Sequence, residues 1–294
     1  MRSSVIINAT LLLDAALFGV NAFVAARSGS HAVLSQAVYN VADLIGGFML
    51  LWGFVVSRRP PTPRHPFGYG KERYFWSFIS ALVTFTVAGF VVLVSGFSQV
   101  TNPQPVTHLG DALLTVGATV AVSLASIWVT MQELGRSKET LTSLLASGHL
   151  GLKTIFYQDL VSVIGSGVAF LGIVYLYRTH DLVADGVTAC IVGVLLIATG
   201  FVLAGESREL LVGKSISPED VREVLRVCEE DSRVRRVRSL QSMMLGPEDV
   251  LLALKVNFQD GLTTDQLETA IDQISIGLRE SFPSLRHLLI EPES

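Results

Sequence analysis

Six apolar stretches, each long enough to cross a hydrocarbon layer, constrain this chain more than any other feature. They run near 5–26, 32–56, 76–100, 111–134, 146–177 and 183–205. A helix rises about 1.5 Å per residue, so a layer about 30 Å thick takes roughly 20 residues. No water reaches a spanning backbone there, and helices satisfy their own hydrogen bonds. Charge is distributed to match: residues 1–206 hold 21 Asp, Glu, Lys and Arg, and residues 207–294 hold 27. The expected architecture is a six-helix membrane domain over 1–206 and a small polar domain over 207–294. Before the first stretch stands only Arg2, and Asp14 interrupts it, so it reads as a retained helix rather than a cleaved signal.

The connections fix an expected orientation. One set of loops and termini carries eleven Lys and Arg, among them Arg58, Arg59, Arg64, Lys71 and Arg73; the other carries only Arg27 and Arg178. The excess of positive charge faces the cytoplasm. Both termini are therefore expected there, with the cell membrane as host and lipid as the surroundings. Trp52, Trp76 and Trp128 fall toward the same side, as an interfacial aromatic belt does.

Several function classes drop out. The net charge of −4, with no basic cluster, argues against a nucleic-acid partner. Cys190 and Cys228 lie in different domains, which excludes a disulfide framework and a cysteine zinc site. Gly213-Lys214-Ser215 ends like a phosphate-binding loop but lacks the glycine five residues before Gly213. There is no HExxH and no GxSxG, so no enzyme is expected.

The tail reads as α-β-β-α-β, a small ferredoxin-like α+β sandwich. Ser217-Pro218-Glu219-Asp220 is a helix start: a capping serine, a proline in the first turn and acids against the dipole. Val250, Leu252, Leu254, Val256 and Phe258 alternate as a half-buried strand does. Thr263 and Gln266 have capping-box spacing before a helix to about Glu280. Strands are expected near 234–244 and 284–290.

Chemistry is sought among ionisable groups inside the membrane, which are costly to keep there. Asp14 and Asp43 stand at similar distances from the turn at 28–30, and Asp159 lies about 13 residues into the fifth stretch. Carboxylates brought to one depth repel and so demand protons or a cation. Tyr39 and Asp43 are i, i+4 neighbours, with Gln36 and Asn40 beside them. Gln158, Asp159, Ser162 and Ser166 form a polar stripe, and Asn21 is two turns from Asp14. The amides also read as hydrogen-bonding glue between helices. Asp111 and Asp185 sit near helix ends and read as cap-like or interfacial groups. His31, His65 and His108 read as surface or structural groups, His149 and Lys153 as lipid-phosphate contacts, and His287 as a weak candidate for an accessory metal site. The Leu, Val and Phe stripes of the third and sixth stretches read as faces for lipid or for a second copy.

The segment His65-Pro66-Phe67-Gly68-Tyr69-Gly70-Lys71-Glu72-Arg73-Tyr74-Phe75-Trp76 resembles the signature that follows the second helix of the cation diffusion facilitators. It is most similar to the branch of the mitochondrial zinc transporter. Ser28-Gly29-Ser30 with Ser35–Asp43, the run from Asp185 to Pro218, Leu245-Gly246-Pro247 and Ile290-Glu291-Pro292 extend the resemblance over essentially the whole chain. It implies a dimeric six-helix exporter of divalent metal, zinc or a manganese-like ion, driven by protons and holding no cofactor.

The implied metal site centres on Asp43 and Asp159, with Tyr39, Asn40 and Gln158 around them and Asp14, Gln36 and Asn21 as additional candidates. Measured against the family pattern, Tyr39 replaces a metal-binding His or Asp, and Gln158 and Gln36 replace Glu. Asn21 replaces Lys, and Ser123 an acid. The site thus holds neither imidazole nor thiolate, and its oxygen donors are harder than zinc usually takes. The rival expectation is a non-transporting membrane scaffold or regulator that keeps the fold and the dimer; a monovalent or organic-cation antiporter is a second alternative.

Overall fold

The computed structural model describes residues 2–136, 150–247 and 249–293, with the backbone alone for helical residues 2–14, 84–85, 133–136 and 150–157. Six long helices come first: α1 (Arg2–Ser28), α2 (His31–Ser57), α3 (Glu72–Thr101), α4 (Leu109–Arg136), α5 (Leu150–Thr179) and α6 (Val183–Val212). They match the six apolar stretches in order. Helices α2, α3 and α6, with Leu109–Gln132 of α4 and Gln158–Thr179 of α5, are each long and apolar enough to cross a membrane. The described side chains of α1, Ala15–Ser28, form a shorter apolar run. A π-helical segment, Ser80–Phe85, widens α3 in its first half.

The described residues fall into two compact units. One holds the helices up to Gly53, from Phe75, and from Gly151 to Ser207; the other holds Phe54–Tyr74 and Arg208 onward.

In the first unit, Gly29 turns α1 into α2 at a φ of 68°, which glycine adopts without a Cβ penalty. The turn is capped from a distance. Asp185, fully buried on α6, accepts from the Ser30 hydroxyl at 2.5 Å and from the backbone N–H groups of His31 at 2.6 Å and Ala32 at 3.2 Å. The aspartate read as a cap thus caps α2. The first N–H groups of a helix have no intrahelical acceptor, and its dipole favours an anion there, so a buried carboxylate becomes tolerable. Helices α3 and α6 meet through glycines. A Cβ on Gly96 would come within 2.7 Å of the Cys190 nitrogen, and one on Gly193 within 2.8 Å of the Leu93 nitrogen. Their bulky residues, such as Phe90, Phe97, Ile191 and Phe201, are exposed.

The second unit contains α7 (Pro218–Glu229), β1 (Val234–Gly246), β2 (Asp249–Phe258), α8 (Thr264–Ser281) and β3 (Leu285–Pro292). The order is the expected α-β-β-α-β. Ser217 caps α7 by accepting from the Asp220 N–H at 3.0 Å, and Thr263 and Gln266 form the reciprocal capping box of α8. The sheet has β2 at its centre, antiparallel to β1 and parallel to β3, with α8 as the crossover. Leu252, Leu254 and Val256 of β2 pack with Ile274 and Leu278 of α8 and Val224 and Cys228 of α7. Burial pushes the Cys228 thiol up to about 12, so it is an inert core group.

The signature segment belongs to this unit. A Cβ on Gly70 would overlap the Leu245 carbonyl, Lys71 donates to the Leu211 carbonyl at 3.2 Å, and Tyr74 is buried with Leu210 and Met244. Three of its residues are thus explained by packing: no side chain fits at Gly70, the Lys71 ammonium satisfies a helix-end carbonyl, and Tyr74 fills the apolar cluster.

Candidate cation site

Helix α2 supplies Gln36, Tyr39, Asn40 and Asp43, spaced so that they share a face. Gln36, Tyr39 and Asn40 are buried, and Asp43 is half-buried with one carboxylate oxygen sealed from solvent. Two bonds tie this face to α5. The Tyr39 phenol donates to the Gln158 main-chain carbonyl at 3.4 Å, and the Gln36 amide donates to the Gly165 carbonyl at 3.5 Å. Both are long, so they position the helices more than they stabilise them. The Gln158 group that meets Tyr39 is its backbone and not its side-chain amide.

Asp159, one residue on, is held from the other side. Ser126 and Thr130 of α4 donate their hydroxyls to its two oxygens at 2.6 Å and 2.5 Å. Both lie within the ordinary range of O–H···O hydrogen bonds. One turn farther along α5, Ser162 pairs with Ser123 at 2.8 Å, which sets the register of α4 against α5. Asn21 of α1 is fully buried and donates to Thr119 of α4 at 3.3 Å and to the Leu17 carbonyl at 3.0 Å. Its Oδ1 and the Asn40 Nδ2 are buried without a hydrogen-bond partner among the described residues.

The expected residues are thus distributed over two contacts. Tyr39 and Gln36 reach α5, and Asp159 is engaged by α4. The Asp14 side chain lies outside the described residues, as do His149 and the Lys153 side chain. Among the described residues, no group of three or more His, Cys, Asp and Glu is gathered as a metal ligand set. That holds for His287 as well: it lies 3.7 Å from Asp249, with the Phe67 ring edge-on against it. Asp249 is desolvated by burial, which holds its carboxyl above the usual range, while His287 and Arg286 pull the other way. His31 shares a hydrogen bond with Ser95 at 2.6 Å, His65 stacks on Tyr69, and His108 sits 3.9 Å from Asp111, which also lies 4.0 Å from Arg27.

Sequence reasoning missed Ser126 and Thr130. One signal was present. Thr119, Ser123, Ser126 and Thr130 recur at four-, three- and four-residue intervals, a single hydroxyl face on a helix otherwise rich in Ala, Val and Leu.

A bundle of apolar helices enclosing carboxylates, followed by a small α+β unit, is the architecture of a polytopic ion-handling protein. Residues 7–212 match the cation efflux transmembrane domain, and the chain belongs to the cation efflux family. Members of this family are membrane transporters and not enzymes, and metal is their cargo and not a cofactor. The chain is 28% identical to Metal tolerance protein C4 of Arabidopsis thaliana, over 79% of this chain and 52% of that one. It is 26% identical to the mitochondrial proton-coupled zinc antiporter SLC30A9 of Xenopus laevis, over 81% of this chain and 43% of that protein. The chain therefore spans about half the length of these two relatives. The Manganese efflux system protein MneP of Bacillus subtilis is 21% identical, over 95% of this chain and 92% of its own.

Proposed function

We propose that this chain exports a divalent metal cation, zinc or a manganese-like ion, in exchange for protons. The cation binds at Asp43 and Asp159, with Tyr39, Asn40 and Gln158 around them and Gln36, Asn21 and Asp14 adjoining. The observation that carries this reading is the tie between α2 and α5. The Tyr39–Gln158 bond positions against each other the two helices that bear the carboxylates. Carboxylates are retained in such a place when they have a function. Metal binding requires them deprotonated, so protons arriving from the far side displace the ion, and alternating access makes this exchange. The relatives whose names specify zinc and manganese support both ions. In this reading residues 1–206 form the membrane domain, 207–294 lie in the cytoplasm with both termini, the host is the cell membrane, and two copies pair.

A second reading, a non-transporting scaffold of the same fold, is favoured by one observation: the Tyr39 phenol is engaged with a backbone carbonyl. One experiment separates the two. Purified protein in proteoliposomes under an imposed pH gradient is offered zinc and manganese, beside the Asp43→Asn/Asp159→Asn double variant. Transport predicts a metal flux that depends on the gradient and vanishes in the variant. A folded wild-type protein with no flux of either metal overturns zinc or manganese export and favours the scaffold.

A further inference from the structure

The hydroxyls of α4 behave in two distinct ways. Threonine and serine in an apolar helix normally turn the hydroxyl back onto a carbonyl of their own helix, about one turn earlier. This chain follows that habit at Thr119 onto Thr115, Ser166 onto Ser162, Thr188 onto Ala184 and Thr199 onto Leu195, at 2.6 to 3.0 Å. Ser126 and Thr130 depart from it. Both leave their own backbone and donate across to the same carboxylate, one hydroxyl to each oxygen of Asp159. They stand four residues apart, so they project from one face of α4 and bracket the carboxylate from one side. Ser123 and Ser162, bonded at 2.8 Å, lock the register of the two helices just beside this bracket.

We propose that Ser126 and Thr130 are positioning residues for cation binding: a hydroxyl fork on α4 that fixes the plane of the Asp159 carboxylate so that its remaining lone pairs meet the ion. The inference rests on the transport reading and adds α4 to a site otherwise built from α2 and α5. A carboxylate offers about four lone-pair directions. The fork uses one on each oxygen and leaves the others for the cation. Asp159 then no longer has to be oriented by the ion itself, so binding need not supply the entropy of ordering it. The fork also makes the two hydroxyls unequal to their apolar isosteres. Thr130→Val keeps the shape of the side chain and removes only the donor.

The test uses full-length protein in proteoliposomes, with zinc chloride and manganese chloride as probes under a fixed pH gradient, and calorimetric titration of the same salts in detergent. Ser126→Ala, Thr130→Val and the double variant are compared with the conservative Thr130→Ser and with Asp159→Asn. Groups that orient a metal ligand typically set its affinity by about ten- to a hundredfold. The double variant is therefore expected to raise the half-saturating metal concentration by that factor and to lower the maximal rate far less. Thr130→Ser is expected to restore wild-type affinity, and Asp159→Asn to abolish flux. A purely structural role would reduce the yield of folded protein and the maximal rate and leave half-saturation in place. That outcome overturns the fork, as does failure of Thr130→Ser to rescue. A folded wild-type protein that neither binds nor moves either metal overturns the transport reading itself, and the fork with it. Should the double variant fail to fold, the same affinity comparison is made with Ser126→Ala alone.

Discussion

Two helix pairs in the membrane unit are joined in opposite ways. Helices α3 and α6 touch backbone to backbone through Gly89, Gly96, Gly186 and Gly193. Helices α4 and α5 are linked by hydroxyls, Ser123 to Ser162 and the fork to Asp159. In lipid the tails are as apolar as leucine, so helices gain little by hiding apolar surface from them. Close van der Waals contact and interhelical hydrogen bonds are what remain, and each pair uses one of them. The first needs shape and tolerates no added atom. The second brings polar atoms into the bundle, and it is the one that holds a carboxylate. The tight apolar pair serves as frame, and in the proposed transport reading the polar pair carries the chemistry.

The comparison breaks most visibly at a glycine. Gly96→Leu is expected to be the most damaging single change, because the Cβ alone would meet the backbone nitrogen of Cys190 at 2.7 Å and the Gly186 carbonyl oxygen at 2.8 Å. Backbone cannot step aside as a flexible side chain can. Overpacking costs typically 1–3 kcal/mol and sometimes more, and the expected loss is about 3 kcal/mol. The polar pair should yield far less: Ser123→Ala deletes one interhelical hydrogen bond, worth about 0.6 kcal/mol on average in membranes. Thermal unfolding in detergent, followed by gel filtration, measures both. Equal midpoints for Gly96→Leu and the wild type would show that the glycine contact does not join the pair.

A carboxylate at a helix start sharpens the contrast between shape and charge. Asp185→Ala leaves the Ser30 hydroxyl and the His31 and Ala32 N–H groups without their acceptor at the buried end of α2. Hydrogen bonds to a charged group contribute about 1.5–3 kcal/mol, and the expected cost is about 2 kcal/mol, below that of the glycine change. Asp185→Asn should recover part of it, since an amide oxygen still accepts. Amide hydrogen exchange in the first turn of α2 reads the effect directly; unchanged protection there in Asp185→Ala would mean the cap is not what orders that turn.

These features differ in how far the sequence revealed them. The six helices were legible because a membrane demands long apolar runs, and Arg2–Ser28 to Val183–Val212 follow the runs closely. The caps of α7 and α8 were legible because Ser217 and Thr263 find their partners within three residues. What stayed hidden depends on partners far along the chain. Asp185 was readable as a cap, but the helix it caps begins more than 150 residues earlier. The outward Phe and Val of α3 and α6 are exposed, as expected of a lipid face, while the glycines that carry the pairing recur at seven residues in each helix, Gly89 and Gly96 on α3 and Gly186 and Gly193 on α6, a spacing that marks one face but does not say what packs on it. Ser126 and Thr130 were overlooked because a hydroxyl in a helix can satisfy itself locally, and only the folded arrangement of α4 against α5 shows that these two do not.

The smallest expected effect lies in the second unit and contrasts two aspartates. Asp185 accepts from three donors, whereas Asp249 is partly buried, with one oxygen sealed and His287 no closer than 3.7 Å. Desolvation raises the folded-state value of Asp249, and the electrostatic attraction of His287 and Arg286 only reduces the rise. A raised acid is one whose protonated form the fold prefers. Its contribution to stability is fully present below the unfolded carboxyl value of about 3.9 and is lost as pH rises through the folded value. Asp249→Asn imitates the protonated acid at every pH. The variant should therefore match the wild type below about pH 4 and be slightly more stable at neutral pH, with a flatter profile between. Hydrogen exchange of the β2 amides in the full-length protein, corrected for intrinsic rates, follows this unit alone. A variant less stable than the wild type at neutral pH would show that the ionised carboxylate is attracted by His287 and Arg286 more strongly than burial opposes it, and Asp249 would then resemble Asp185 as a satisfied charge.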